Sequence, residues 1–150
     1  MKIFERVIVM YIIKHISENQ LFNKNQHGFV TGKSTQTQLL LFYEDIYEAL
    51  LEGKRLDTVF LDFARAFDKV NHQILLHKIV KHNIKGKLAI WLKEFLYKRK
   101  FKVVANNSIS EEEDVTSGVP QGTVLAALLF IIMISDIDEK NQRVNNKVFC

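Results

Sequence analysis

The stretch VFLDFARAFDKVNHQ, residues 59–73, decides how the rest of the chain is read. Its first half lies in DTVFLDF, a run of β-formers that predicts a strand over Thr58–Phe63. Side chains alternate along a strand, so Phe60 and Asp62 would share one face, and Leu61 and Phe63 the other. A carboxylate in such a run is costly unless something pairs with it. One reading is that the strand ends at Asp62 and its side chain accepts hydrogen bonds from a turn. The other is that a hard divalent cation sits there, because Mg²⁺ needs only one or two carboxylates and keeps several waters. That ion belongs to phosphoryl-transfer chemistry, in which two metals about 3.5–4 Å apart clamp the attacking and leaving oxygens. A further carboxylate, Asp68, follows in the same stretch.

The 150 residues suit about one domain. With 47% hydrophobic and 25% charged residues, the chain can build a core and is too apolar to be disordered. A net charge of +4 is compatible with a polyanionic partner without requiring one. The single cysteine, Cys150, excludes an internal disulfide and a CxxC metal site, which points to a reducing compartment. His72, His77 and His82 are five residues apart, so a helix would splay them; they read as surface or half-buried rather than as zinc ligands. Two apolar runs, Val7 to Ile13 and Val124 to Ile134, fall short of the roughly 20 residues a membrane span needs. Glu5 and Arg6 precede the first, with no small-residue cleavage site behind it, so a signal peptide is not expected either.

Periodicity predicts a first helix from Ile3 to about Asn19, with Phe4, Ile8, Tyr11 or Ile12, and Ile16 recurring at helical spacing. LFNKNQHGFVTGKST reads as a loop. Thr35-x-x-Gln38 resembles a capping box opening a helix with Leu39, Tyr43, Ile46, Tyr47 and Leu50 on one stripe, stopped by Gly53. After the strand, Asn71 caps a short helix carrying Ile74, Leu75 and Ile79, broken over Asn83 to Gly86. Another helix follows from Lys87 to about Tyr97, presenting Leu88, Trp91, Leu92 and Phe95. KFKVVANNSIS predicts a hairpin turning at Asn106-Asn107 and returning through Val115. SGVPQG then feeds an apolar helix from about Thr123 to Ile137, and VNNKVFC reads as a turn entering a new strand. Short strands among long helices predict an α+β fold, helix-rich, with a small antiparallel sheet.

Other segments carry two readings each. The glycines and proline of SGVPQG, Ser117 to Gly122, fix a loop whose backbone N–H groups could meet a phosphate or a base edge; the plainer reading is a strand-to-helix turn. GFVTGKST, Gly28 to Thr35, lacks the GxxxxGK[ST] spacing of a Walker loop and follows no predicted strand. KEFLYKRKFK, Lys93 to Lys102, interleaves basic and aromatic residues, which suits either a nucleic-acid track or the solvated face of a helix.

Taken in order, NQHGFVTGKST, FLDFARAFDKVNHQILLHKI, IWLKEFLYKRKFKVV and SGVPQGTVLAALLFIIMISDI resemble the reverse transcriptase domain of non-LTR (LINE-like) retrotransposons, over almost the whole chain. The FLDFxxAFDxVxH and SGVPQGxxLxxLLF stretches are the most specific. The resemblance implies a polymerase palm with part of the fingers: residues 1–56 fingers-like, residues 57–150 palm-like. It implies that Asp62 binds both Mg²⁺ ions of the intact enzyme, helped by the backbone carbonyl of Phe63. Phe63, Ala64, Arg65, Ala66, Phe67 and Gln121 would lie around the nucleotide, with Phe67 the ring that rejects a ribose 2′-OH. Gly28, Phe29, Gly118, Pro120, Gln121 and Gly122 would face template and primer, and Asp68 would support the palm from outside the metal pair. Val30 stands where the family often has Arg, and Ala126-Ala127 where Gly-Pro is usual; the alanines favour an unbroken helix.

The implied activity is RNA-directed DNA synthesis, a nucleotidyl transfer. The implied partners are an RNA template, a DNA primer and deoxynucleoside triphosphates. No compartment is specified beyond the intracellular setting of the family, with which a nuclear location is compatible. The family's Phe/Tyr-Ala-Asp-Asp box, its thumb and its first fingers strands do not occur in these residues. The expectation is therefore a fragment inactive alone. A non-catalytic nucleic-acid-binding module, a decayed copy without stable folding, and a group II intron-type maturase stand as alternatives.

Overall fold

The computed structural model describes residues 2–21, 23 and 25–137. They form α1 (Lys2–Glu18), α2 (Thr35–Leu51), α3 (His72–Lys81), α4 (Gly86–Tyr97), the short strands β1 (Lys100–Phe101), β2 (Val104–Ala105), β3 (Ser108–Ile109) and β4 (Glu113–Asp114), and α5 (Val124–Ile134). The fold is helix-rich α+β, with small antiparallel pairs β1–β4 and β2–β3 as its sheet content among the described residues. The predicted tail strand in VNNKVFC lies outside the described residues. The chain divides into two compact units. One comprises the described residues up to Leu21 together with Arg65–Ile134; the other comprises the described residues between them and those after Ile134.

The first unit is built around α5. A helix that is apolar all round is a buried helix, and Leu125, Leu128, Leu129, Phe130, Ile131, Ile132 and Ile134 are all buried. It runs unbroken through Ala126-Ala127. Ile8, Val9, Ile12 and Ile16 recur on one face of α1, and α1 packs on α5. Leu75 and Ile79 of α3 and Leu92 and Leu96 of α4 are fully buried, and α3 packs against both α4 and α5. Each such Leu or Ile contributes about 1.5–3 kcal/mol by leaving water.

Local signals set the helix ends. The Asn71 side chain accepts from Ile74 N at 3.1 Å and starts α3 as predicted. Thr123 Oγ1 accepts from Ala126 N at 3.2 Å at the start of α5. Asn106 and Asn107 have φ of 49° and 60°, the left-handed pair that a two-residue hairpin turn demands. The hairpin closes there, Ala105 opposite Ser108. α5 ends at Ile134 rather than near Ile137, where Ser135–Ile137 form a turn.

In the second unit the structure corrects three expectations. The capping box of α2 is one residue earlier than predicted: Ser34 Oγ accepts from Thr37 N at 3.2 Å, and Thr37 Oγ1 accepts from Ser34 N at 2.9 Å. A threonine hydroxyl serves the role assigned to a Gln at that spacing. The stripe of Leu39, Tyr43, Tyr47 and Leu50 is exposed; Gln38 is the buried residue of the helix. Finally, Thr58–Phe63 does not form a strand. A strand exists only as part of a ladder, and this segment has no ladder partner among the described residues. Leu61 is consequently 89% exposed and Phe60 73%, with the Phe60 ring edge-on to Phe42 of α2 at 5.9 Å.

Candidate functional site

In the first unit, residues Arg65–Lys69 form a tight turn in which Arg65 O accepts from both Asp68 N (3.0 Å) and Lys69 N (3.1 Å). Arg65 holds φ of 55°, uncommon for a residue with a Cβ. The SGVPQG loop lies directly on this turn. Gly118 N donates to Val70 O and Val119 N to Phe67 O, each at 2.8 Å. Ser117 Oγ donates to Asp68 O at 2.9 Å, and Gln121 Nε2 donates to Asp68 Oδ1 at 2.7 Å. The two segments are 49 to 53 residues apart in sequence along these side-chain bonds, yet form one surface.

Gly118 makes the approach possible. Its φ is +83°, and a Cβ there would meet Asp68 O at 2.8 Å, Asp68 Cα at 2.9 Å and Phe67 O at 3.0 Å. Its carbonyl accepts from two side chains, His72 Nε2 at 2.7 Å and Arg99 Nη2 at 2.6 Å. His72 is 2% exposed, correcting the reading of it as a surface or half-buried residue, and its ring lies edge-on to Tyr97 with centroids 5.1 Å apart. Arg99 also donates through Nε to Leu96 O at the end of α4. Burial holds its guanidinium below the usual range, and an arginine still stays charged. Phe67 is half-buried and its ring contacts Phe130 of α5, with centroids 5.1 Å apart.

The remaining sequence-predicted residues lie in the second unit. Asp62 and Ala64 are exposed, Phe63 is half exposed at 50%, and Phe29 is exposed with φ of 56°. The Gln26 side chain donates to Gly28 O at 2.9 Å, and the His27 ring shares a 2.9 Å hydrogen bond with Thr37 Oγ1. These bonds fix the Gly28 loop to the start of α2. Phe67, Asp68, Gly118, Pro120, Gln121 and Gly122 are thus gathered within one unit, while Asp62 and Gly28 belong to the other. Among the described residues no group of three or more His, Cys, Asp or Glu is placed to hold a metal ion.

The basic stretch Lys93 to Lys102 is less open than its composition implies. Lys98 pairs with Glu94 at 2.8 Å, Lys100 with Glu112 at 3.6 Å, and Arg99 turns inward to Gly118. No helix of the described residues is long and apolar enough to cross a membrane.

The family model for reverse transcriptase (RNA-dependent DNA polymerase) matches residues 1–150. The chain belongs to the reverse transcriptase family. It is 33% identical over 146 residues to the probable RNA-directed DNA polymerase from transposon X-element of Drosophila melanogaster, which covers 97% of this chain and 16% of that protein. It is 34% identical over 140 residues to the RNA-directed DNA polymerase from mobile element jockey of Drosophila funebris, covering 93% of this chain and 15% of that one. A similar relation, 32% over 136 residues, holds with the transposon BS protein of Drosophila melanogaster. This reverse transcriptase chain spans about one-sixth of the length of these curated relatives. The resemblance to the non-LTR enzymes is borne out. At family level, reverse transcriptases use divalent metal ions and act on nucleic-acid templates with nucleotide substrates.

Sequence reasoning missed two residues that shape this surface, His72 and Arg99. Both belonged to quoted motifs. Their common target is a main-chain carbonyl, which has no signature in the side-chain code.

Proposed function

We propose that these residues are the fingers–palm portion of an RNA-directed DNA polymerase of the non-LTR type, with residues 1–56 fingers-like and residues from 57 onward palm-like. The supporting observation is the docking of SGVPQG on the FDKVNH turn, through Gly118 N to Val70 O, Val119 N to Phe67 O and Gln121 to Asp68. That docking gives the nucleotide a shaped wall. The Phe67 ring is braced by Phe130, a rigid backing for a side chain whose task is to exclude a 2′-hydroxyl. The Asp68 carboxylate accepts from Gln121, which suits a supporting rather than a metal-binding role. Pro120 and Gly122 hold the loop beside Gln121 toward template and primer, with Gly28 and Phe29 as the fingers contribution.

Asp62 is exposed and acceptor-only when ionised, as a Mg²⁺ ligand must be. Asp62 and the Phe63 carbonyl would hold the ion; Mg²⁺ keeps waters in its other positions. When bound, Mg²⁺ activates the primer 3′-hydroxyl and offsets charge on the transferring phosphoryl group. The chain's own residues orient the nucleotide: backbone and side chains of Ala64, Arg65 and Ala66 beside the phosphates, Phe67 against the sugar, Gln121 toward the base. Asp62 is the one metal carboxylate assigned to these residues, so by themselves they are expected to extend no primer. Mg²⁺-dependent primer extension by the purified chain, lost on Asp62→Asn, would refute that statement.

The function is tested in a chimaera in which this chain replaces the matching stretch of the X-element protein. Primer extension on an RNA template is the expected result, abolished by Asp62→Asn. Extension that survives Asp62→Asn removes Asp62 from the site.

A further inference from the structure

The Gly118 carbonyl sits at the centre of a clamp that no part of the nucleotide reading requires. It accepts from His72 Nε2 at 2.7 Å and from Arg99 Nη2 at 2.6 Å, so both its lone pairs are engaged. A donor is needed to approach a carbonyl this closely, so the His72 proton is on Nε2. The 3.4 Å between Arg99 Nη2 and His72 Nε2 then reflects two donors sharing one oxygen. His72 Nδ1 is buried without a hydrogen-bond partner. The ring is therefore held by its Nε2 bond and by the edge contact with Tyr97, and by no other polar contact.

Arg99 reaches Gly118 from the end of α4, where its Nε also donates to Leu96 O at 3.1 Å. The guanidinium ties an otherwise unsatisfied helix-terminal carbonyl to the loop. His72 reaches the same atom from the first turn of α3. Two helices thus converge on one atom of a loop whose glycine is already pressed against the backbone of Phe67 and Asp68. Committing a buried histidine and a half-buried arginine to one carbonyl is worthwhile only if that atom's position matters, since a plain turn could leave it to water.

We propose that His72 and Arg99 are positioning residues: by gripping the Gly118 carbonyl they fix the SGVPQG loop, and with it Gln121, in the geometry that receives the incoming nucleotide. The positioning role rests on the polymerase reading above; the clamp itself does not. Neither residue touches the reacting atoms in this role. The charge-assisted bond from Arg99 is the stronger of the two.

The test uses the purified chain and four variants. Arg99→Met and His72→Phe keep bulk and remove the donors. Arg99→Lys keeps the charge but cannot bridge Leu96 O and Gly118 O together, and His72→Gln restores an N–H donor. Amide hydrogen exchange at Gly118 and Val119 reads the clamp, with Leu75 and Leu92 amides reporting that the core is intact. Arg99→Met should speed exchange at both loop amides by roughly tenfold or more, His72→Phe somewhat less, and His72→Gln should recover most of the protection. In the X-element chimaera, Arg99→Met should raise the KM for deoxynucleotide about tenfold while kcat changes less. Unchanged loop exchange in both donor-less variants, with the core intact, would overturn the clamp. Faster loop exchange with an unchanged KM would overturn the positioning role. A wild-type chimaera that binds and extends nothing would instead reject the polymerase reading, and loop exchange would still decide the clamp.

Discussion

Gly118→Ala puts the loop geometry under direct strain. The methyl group would sit 2.8 Å from Asp68 O, 2.9 Å from Asp68 Cα and 3.0 Å from Phe67 O, all backbone atoms that cannot rotate away. The left-handed φ of +83° adds about 1–2 kcal/mol for any residue with a Cβ. Relief requires the loop to lift, which breaks Gly118 N to Val70 O and Val119 N to Phe67 O, each worth about 0.5–1.5 kcal/mol. The expected loss is therefore about 2–5 kcal/mol, a large part of a small domain's margin of about 5–15 kcal/mol. Gly122→Ala is the matched control. Its φ of +79° carries the same backbone strain, but a Cβ there meets nothing within 4 Å, so about 1–2 kcal/mol is expected. Trp91, the single tryptophan, lies in the same unit, edge-on to Phe4 and stacked on Phe95, so its fluorescence reports urea unfolding of that unit. If Gly118→Ala and Gly122→Ala shift the unfolding free energy equally, the close approach of loop and turn is wrong.

Other perturbations follow from the same geometry. Leu129→Ala in α5, fully buried, should cost about 2–5 kcal/mol by the same fluorescence assay. Asn71→Ala removes the α3 cap and should cost about 1 kcal/mol, with Asn71→Asp close to wild type. Asn107→Gly should leave the hairpin intact or stabilise it by a few tenths of a kcal/mol, and Asn107→Val should weaken the Val104–Ile109 pairing, read by amide exchange at Ile109. In the X-element chimaera, Phe67→Val should raise ribonucleotide incorporation by about tenfold or more relative to deoxynucleotide, measured by competition; an unchanged ratio removes Phe67 from sugar discrimination.

Much of this protein was legible from local sequence, for identifiable reasons. Helix periodicity, the Asn71 cap, the Asn106-Asn107 turn and the apolar α5 are all written in residues within one or two turns of each other. The ordered FLDFxxAFDxVxH and SGVPQG motifs carried the family. The strand over Thr58–Phe63 was not legible, because β-propensity names residues that suit a ladder and cannot supply the ladder. The α2 stripe misled for a related reason: amphipathic spacing predicts a face that could be buried, and Leu39, Tyr43, Tyr47 and Leu50 are exposed.

The sequence by itself determined the helices, the Asn71 cap, the Asn106-Asn107 turn and the family, since each rests on side chains close together along the chain. Only the tertiary structure decided that SGVPQG lies on the FDKVNH turn, that Asp68 is spent on Gln121, and that His72 and Arg99 meet on one carbonyl. The physical reason is that, apart from the Gln121–Asp68 pair, these contacts end on backbone atoms. Every residue carries the same N–H and C=O, so no pattern of side chains announces which of them a distant histidine or arginine will find.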